Sequence, residues 1–266
     1  QRTGDAVSRP LARTAAAAVA LLVAAGAHAG RPCERQALRA DEVQRALDLA
    51  LHTAQALDAG GAQVVVLARS GQDLRRHGLD WSHLGLAYRD ASGWRVAHKL
   101  NECGTARAAV YRQGLGEFFL DGLHEYRAGV MPLAPEVQAR LLPLLRDNAR
   151  LATLHTPAYS MVAYPWAQRY QQSNQWAIET LALSQDAGID SRARAQAWLS
   201  LRGYEPTVLR LDAFTRLGAR VGTAHIAFDD HPNAKRFTDR IETVTVDSVF
   251  AWLNRSGLGA PLQVLR

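Results

Sequence analysis

Two strand-like segments, each carrying one histidine, are joined by a short turn in the first half of the chain. They cover residues 81–88 and 94–100, and the turn between them contains Asp90-Ala91-Ser92-Gly93. Period-two patterns on both sides of a glycine-containing turn are typical of an antiparallel hairpin. This hairpin constrains the fold most, because it fixes which side chains share a face of the sheet.

The hairpin predicts that its two histidines lie close together. His83 shares a face with Gly85 and Ala87, and His98 shares a face with Val96. If the strands pair symmetrically about the turn, the two imidazoles come within hydrogen-bonding reach. One could then act as a base while the other fixes its tautomer. The alternative is that both are ordinary half-buried core histidines.

The remaining apolar patterns predict an α+β domain. Asp41 is a candidate N-cap with Gln44 as its capping-box partner, and the Val-rich run 63–68 predicts a strand covered on both faces. The other predicted helices are 114–126, 135–151 with a kink or division at Pro143, 173–187, 191–201, 212–220 and 247–254, and the other predicted strands are 223–228 and 241–246. No repeat or convincing linker divides this region, so we expect residues 30–266 to form a single domain.

The N-terminal 29 residues have the pattern of a secretory signal. Arg9 and Arg13 supply positive charge, residues 14–26 are apolar, and Ala27-His28-Ala29 has the form of a cleavage site. The apolar run is too short to span a bilayer. We therefore expect a signal peptide over residues 1–29 and a periplasmic or secreted protein. After cleavage near Gly30, the mature chain is not expected to span the membrane.

The charge of the chain is mildly basic, with a formal net value of +6. The predicted signal holds three arginines against Asp5, a net +2, so +4 remains on the mature chain. Basic residues are not interleaved with aromatic residues in any one segment, which argues against nucleic-acid binding. A basic exported protein favours anionic partners such as cell-wall polymers or lipid head groups.

The chain has two cysteines, Cys33 and Cys103. An even number of cysteines in an exported chain predicts a disulfide. It would close a loop of about seventy residues and stabilise the fold by roughly 4 kcal/mol on the loop-entropy model. The alternative is two buried thiols.

A predicted helix begins near Ser173, followed by Asn174, Gln175 and Trp176. Serine is a favoured N-cap, and this alone accounts for its position. In the functional interpretation, Ser173 is a nucleophile and the exposed N–H groups of the helix start stabilise an oxyanion. A serine needs strong assistance from a base to act in this way at neutral pH.

The segment His225-Ile226-Ala227-Phe228-Asp229-Asp230-His231 contains two histidines and two aspartates. Such side chains could contribute to a metal site. Strand alternation does not bring His225 and His231 together, and Pro232 favours a turn in which Asp230 and His231 bond loop backbone. We predict no metal and no cofactor.

Several segments together resemble an uncharacterised family of exported bacterial proteins, DUF2145. They are residues 81–86, 96–104, 170–179, 229–232 and 241–246, so the resemblance extends over nearly the whole mature chain. More distantly, the order of histidine strand, polar residue on the next strand, and nucleophile helix is similar to the circularly permuted NlpC/P60 branch of the papain-like superfamily. That resemblance implies a papain-like α+β fold with an antiparallel sheet packed against helices.

The NlpC/P60 resemblance also implies an active site. His83 would match the histidine motif, His98 the polar third member and Ser173 the nucleophile, with Asn174 and Gln175 near the oxyanion and Trp81 in the cleft. That superfamily has cysteine where this chain has Ser173. Two functions follow: a hydrolase or acyltransferase acting on amide or ester bonds of cell-envelope peptides or lipids, or an inactive relative that binds an envelope peptide, glycan or lipid. The sequence leaves open whether the protein is an enzyme, and its oligomeric state.

Overall fold

A computed structural model describes residues 37–212, 215, 218 and 225–266. Within them the strands are β1 Val64–Ser70, β2 His83–Asp90, β3 Gly93–Asn101, β4 Ala108–Gly114, β5 Glu125–Pro132, β6 Thr207–Arg210, β7 Arg240–Thr243 and β8 Gln263–Leu265. The helices are α1 Ala40–Gly60, α2 Leu115–Phe119, α3 Pro135–Arg146, α4 Asn148–Ala152, α5 Ser173–Gln185, α6 Arg192–Leu201, α7 Asn233–Arg236 and α8 Val246–Arg255, with a 3₁₀ turn at Arg75–His77.

The central element is a six-stranded sheet in the order β4-β3-β2-β1-β5-β8, in which neighbouring strands are antiparallel. The predicted hairpin is its β2–β3 pair, closed where Asp90 pairs with Gly93. Strands β6 and β7 form a separate antiparallel pair. The structure is thus a mixed α+β arrangement in which an antiparallel sheet packs against helices.

Helices cover both faces of the sheet, and strand alternation assigns each side chain to one of them. On one face, Val65, Leu67, Ala87 and Val96 pack with apolar residues of α1 and α2. The other face packs against α3 and α5, through side chains that include Val64, Val66, Leu84, Leu86 and Ala97, in an apolar cluster that also contains residues of α6 and α8. We call these the α1 face and the α5 face.

Two predictions for the first half of the chain are confirmed. All residues of β1 are buried, as expected for a strand covered on both faces. The hairpin strands also lie where the sequence places them. The start of α1 differs: the helix begins at Ala40, its N-cap is Arg39, and the Glu42 carboxylate accepts from the Arg39 backbone N–H at 2.9 Å.

Other predicted boundaries are wrong. Residues 114–126 contain only the short helix α2, between β4 and β5. The helix predicted over 135–151 is divided, but at Asp147 and not at Pro143, because the Asp147 carboxylate accepts from two N–H groups at the start of α4. Residues 225–228 are not a strand, and most of the helix predicted over 212–220 lies outside the described residues. In the described part of the chain, no helix is both long and apolar enough to cross a membrane.

Candidate functional site

The two hairpin histidines form a hydrogen-bonded pair on the α1 face. His83 Nε2 and His98 Nδ1 are 2.9 Å apart, and the ring centroids are 5.2 Å apart. The β2–β3 register makes the two residues diagonal neighbours, since their side chains are on the same face but His98 lies beside Gly85. The prediction that the two histidines lie on adjacent antiparallel strands within hydrogen-bonding reach is confirmed, and the hydrogen bond is direct.

A glutamine on the next strand extends this pair into a chain of three side chains. His98 Nε2 lies 2.9 Å from the Oε1 atom of Gln113 on β4. With the amide in this orientation, His98 donates from Nε2 and accepts at Nδ1, so His83 donates from Nε2. The neutral His83 ring then carries its basic lone pair on Nδ1. His98 therefore fixes the tautomer of His83, as a catalytic base requires.

Gly85 provides the space that lets the two strands hold this pair. A Cβ atom at Gly85 would lie 2.4 Å from Val96 Cγ1, 3.1 Å from His98 Cβ and 3.2 Å from the Ala97 carbonyl oxygen. No side chain larger than hydrogen fits without displacing these neighbours. The small residue beside His83 thus serves the approach of His98.

The surroundings of the pair include an aromatic ring and a charged side chain that contacts it. The Phe118 ring lies 6.0 Å from the His83 ring and 5.3 Å from the His98 ring. The Arg69 guanidinium lies 4.7 Å from the same Phe118 ring and hydrogen-bonds the Phe118 carbonyl and the Asp121 carboxylate. His98 is fully buried, whereas His83 is only partly buried.

The electrostatics of the site keep His98 neutral. Burial, reinforced by the positive charge of Arg69, lowers the pKa of His98 to about 3, against smaller opposing effects of Gln113 and Asp121. At neutral pH the inner histidine is therefore an uncharged relay. The partly exposed His83 is the member of the pair that can meet a substrate or solvent.

Ser173 lies in a different environment. It is the first residue of α5, but the capping residue is Gln172, whose side-chain oxygen accepts from the Asn174 N–H at 3.1 Å. The interpretation of Ser173 as the N-cap is therefore wrong. Burial raises the pKa of Tyr159, with a smaller opposing effect of its hydrogen bond to the Ser173 side chain. Ser173 is itself buried.

Helix α5, which begins at Ser173, lies on the other face of the sheet from the histidine pair. Helix α5 packs on Leu84 and Leu86, whose side chains point away from the α1 face. The sheet therefore lies between the body of α5 and the face that carries His83 and His98. The pair that the sequence predicted is assembled, and the serine that it was expected to activate starts a helix on the other layer.

The other predicted cleft residues have structural contacts. The Asn174 side chain accepts from the Leu84 N–H at 3.2 Å and donates to the Val244 carbonyl at 3.3 Å. Gln175 donates to the Pro165 carbonyl at 3.1 Å. Trp81 is buried in the core against Phe250. These side chains attach α5 and the start of β2 to their neighbours.

Asp229, Asp230 and His231 hold a loop in place. His231 Nδ1 lies 3.0 Å from the Asp230 carboxylate, and its Nε2 lies 3.0 Å from the Glu242 carbonyl. Asp230 also accepts from the Tyr164 N–H at 2.8 Å, while Asp229 pairs with Arg169. Across the described residues, no group of three or more His, Cys, Asp or Glu side chains is arranged to hold a metal ion.

Sequence reasoning missed a buried polar network on the α5 face. Lys99, the residue after His98, donates to the Thr156 carbonyl at 2.6 Å and to Gln171 Oε1 at 2.8 Å. Gln171 donates to Glu179, which also accepts from Arg192 at 2.8 Å. Burial and the charge of Arg192 lower the pKa of Lys99 to about 7, while Glu179 raises it. The only signal in the sequence was strand alternation, which places the Lys99 side chain on the face of the sheet opposite to that of His98.

A family model described as an uncharacterised protein conserved in bacteria, DUF2145, matches residues 56–253. The chain belongs to this family. No curated protein matches the chain, and no solved structure matches it.

The part of the chain matched by DUF2145 contains His83, His98, Gln113 and Ser173, and also Cys103. The other cysteine, Cys33, precedes the match and lies outside the described residues. Within the described residues there is no free cysteine. The Cys33–Cys103 pairing stays a prediction.

Proposed function

We propose that this DUF2145 protein is exported and acts as a hydrolase or acyltransferase on amide or ester bonds of cell-envelope peptides or lipids, with His83 as its general base. The observation that carries the proposal is the hydrogen-bonded chain from His83 through His98 to Gln113. A base on a strand, oriented by a second polar group on the next strand, is the arrangement that general base catalysis needs. The same feature supports a papain-like, permuted NlpC/P60-like assignment of the fold.

The proposed step uses Nδ1 of His83. A water molecule, or an acceptor hydroxyl or amine, attacks the carbonyl carbon of the substrate while its proton passes to Nδ1. The imidazolium then returns the proton to the leaving amine or alcohol as the C–N or C–O bond breaks. His98 holds the ring orientation throughout, because its Nδ1 accepts from His83 Nε2. Ser173 has no part in this scheme, since its side chain bonds Tyr159 and its helix packs on the α5 face.

The test compares three variants on a panel of envelope-derived peptides, acyl esters and lysophospholipids. His83→Asn should lower the rate of any cleaved substrate by about 10²-fold to 10⁴-fold, the usual contribution of a general base. Ser173→Ala should leave the rate within about 2-fold of wild type, and His52→Gln, at an exposed histidine of α1, is the matched control. A Ser173→Ala variant that is inactive, beside an active His83→Asn variant, would refute the proposal.

The second candidate function is an inactive relative that binds an envelope peptide, glycan or lipid. The buried position of Ser173 beside Tyr159 favours it, because the side chain of the expected nucleophile already bonds Tyr159. In that case no substrate of the panel is cleaved. Binding of an envelope fragment, measured by calorimetry, should then weaken in His83→Asn and stay unchanged in His52→Gln.

A further inference from the structure

Arg69 is a charged side chain next to the histidine pair. It pairs directly with His83 across β1 and β2, so both side chains are on the α1 face. Its side chain is buried and is held by the Phe118 carbonyl and the Asp121 carboxylate. The ring of Phe118 contacts Arg69 and both histidines. Arg69 is therefore a fixed positive charge beside a buried, uncharged imidazole.

The direction of the hydrogen bonds makes the protonation state of His98 decisive. A protonated His98 would donate from both ring nitrogens, so His83 Nε2 would have to accept and its proton would move to Nδ1. His83 would then lose the basic lone pair that the proposed step uses. The hydrogen-bonded series His83–His98–Gln113 ends on a neutral amide. His98 is therefore not bonded to a carboxylate that would compensate a positive charge on its ring.

We propose that Arg69 is a positioning residue that, together with the neutral Gln113, keeps His98 uncharged. It does so through its charge, which disfavours an imidazolium at His98 and so preserves the tautomer in which Nδ1 of His83 is the base. The charged groups around the pair agree with this role: Arg69 on β1 opposes protonation of His98, and Asp121 after α2 offsets it only in part. This inference rests on the proposed function for its purpose, but its test does not depend on activity.

The test is ¹⁵N NMR of the histidine ring nitrogens in the folded full chain between pH 3.5 and 8, a window that includes the midpoint expected for the variant. In the wild type, His98 should keep one protonated and one unprotonated nitrogen over most of this range. Arg69→Met should raise the titration midpoint of His98 by about one pH unit or more, the usual effect of removing a charge within a few ångströms. Arg69→Lys keeps the charge and should give a smaller rise.

Gln113→Glu provides a second, independent arm. A carboxylate at the end of the chain should favour the imidazolium, so His98 should become protonated and the proton of His83 should move to Nδ1. The proposal is overturned if wild-type His98 takes up a proton between pH 5 and 8. It is also overturned if a folded Arg69→Met variant, checked by its backbone amide spectrum, titrates like wild type. If the NMR results are as expected but no substrate is cleaved, the positioning role stands and the proposed hydrolase function fails.

Discussion

At the scale of the residue, the histidine pair depends on one hydrogen atom in place of a side chain. Gly85 is on the same face as His83 and directly beside His98, so its missing Cβ leaves the space that the His98 side chain occupies. Alternation alone predicted a small residue near His83. It could not show that the space serves the second histidine and not a substrate.

Gly85→Ala should destabilise the protein by about 1–3 kcal/mol, the usual cost of overpacking, because the new Cβ meets Val96 Cγ1 at 2.4 Å. It should also disturb the His83–His98 hydrogen bond, seen as changed ring-nitrogen shifts. Urea unfolding measures the first effect. Gly60→Ala is the matched control, since nothing lies within 4 Å of a Cβ at Gly60. Equal stability of the two variants would show that β2 and β3 separate easily.

At the scale of the element, α5 is held by charges that are almost entirely inaccessible to solvent. Glu179 is fully buried and accepts from Gln171, Arg192 and Gln196. Through Gln171 the network reaches Lys99 on β3. Arg192 directly, and Lys99 through Gln171, thus depend on one carboxylate, and breaking a buried pair costs far more than its net contribution to stability.

Glu179→Gln should lower the free energy of unfolding by about 3–5 kcal/mol, because Arg192 and Lys99 lose the carboxylate of their network. Chemical denaturation with a two-state fit measures it. The control is Glu205→Gln, which removes the exposed partner of Arg255 and should change stability by less than about 1 kcal/mol. A loss below about 1 kcal/mol for Glu179→Gln would mean that water reaches the network.

The elements differ in how far the sequence could predict them. The β2–β3 hairpin and the buried β1 were predictable, because a local turn and a local pattern specify them. Strands β4 and β5 were missed, and the helical spacing of Leu115, Phe118 and Phe119 predicted a helix to residue 126, although the helix ends at Phe119. Gln113 was missed with β4. The layer of Ser173 depends on packing between distant segments, and no local pattern encodes it.

At the scale of the whole molecule, buried neutral histidines make stability depend on acidity. The pKa of His98 is lowered from 6.5 to about 3 and that of His155 from 6.5 to about 4, in both cases chiefly by burial. Between pH 6.5 and these values, the unfolded chain binds protons that the folded chain does not. Stability should therefore be fully present above about pH 6.5 and fall as the pH is lowered toward 3.

His98→Gln should make stability depend less on pH, since the variant lacks the histidine whose pKa is lowered most. Between pH 7 and pH 4, the free energy of unfolding should fall by a few kcal/mol more in wild type than in the variant, on the order of 1.4 kcal/mol per unit of pKa shift. Urea unfolding at a series of pH values from 7 to 4 measures it. His52→Gln should keep the wild-type slope; parallel curves for all three proteins would contradict the buried, neutral state of His98.

Strand β3 carries His98 and Lys99 side by side, one on each face of the sheet. A shift of its pairing by one residue would exchange the faces of every side chain. Lys99 would then face Phe118 and Arg69, and His98 would face the acceptors on the α5 side. Each misplaced group would lose its hydrogen-bonding partners in a dry environment. Because these two adjacent residues require opposite faces of the sheet, a slipped pairing of β3 is costly, and one strand register is selected while the chain folds.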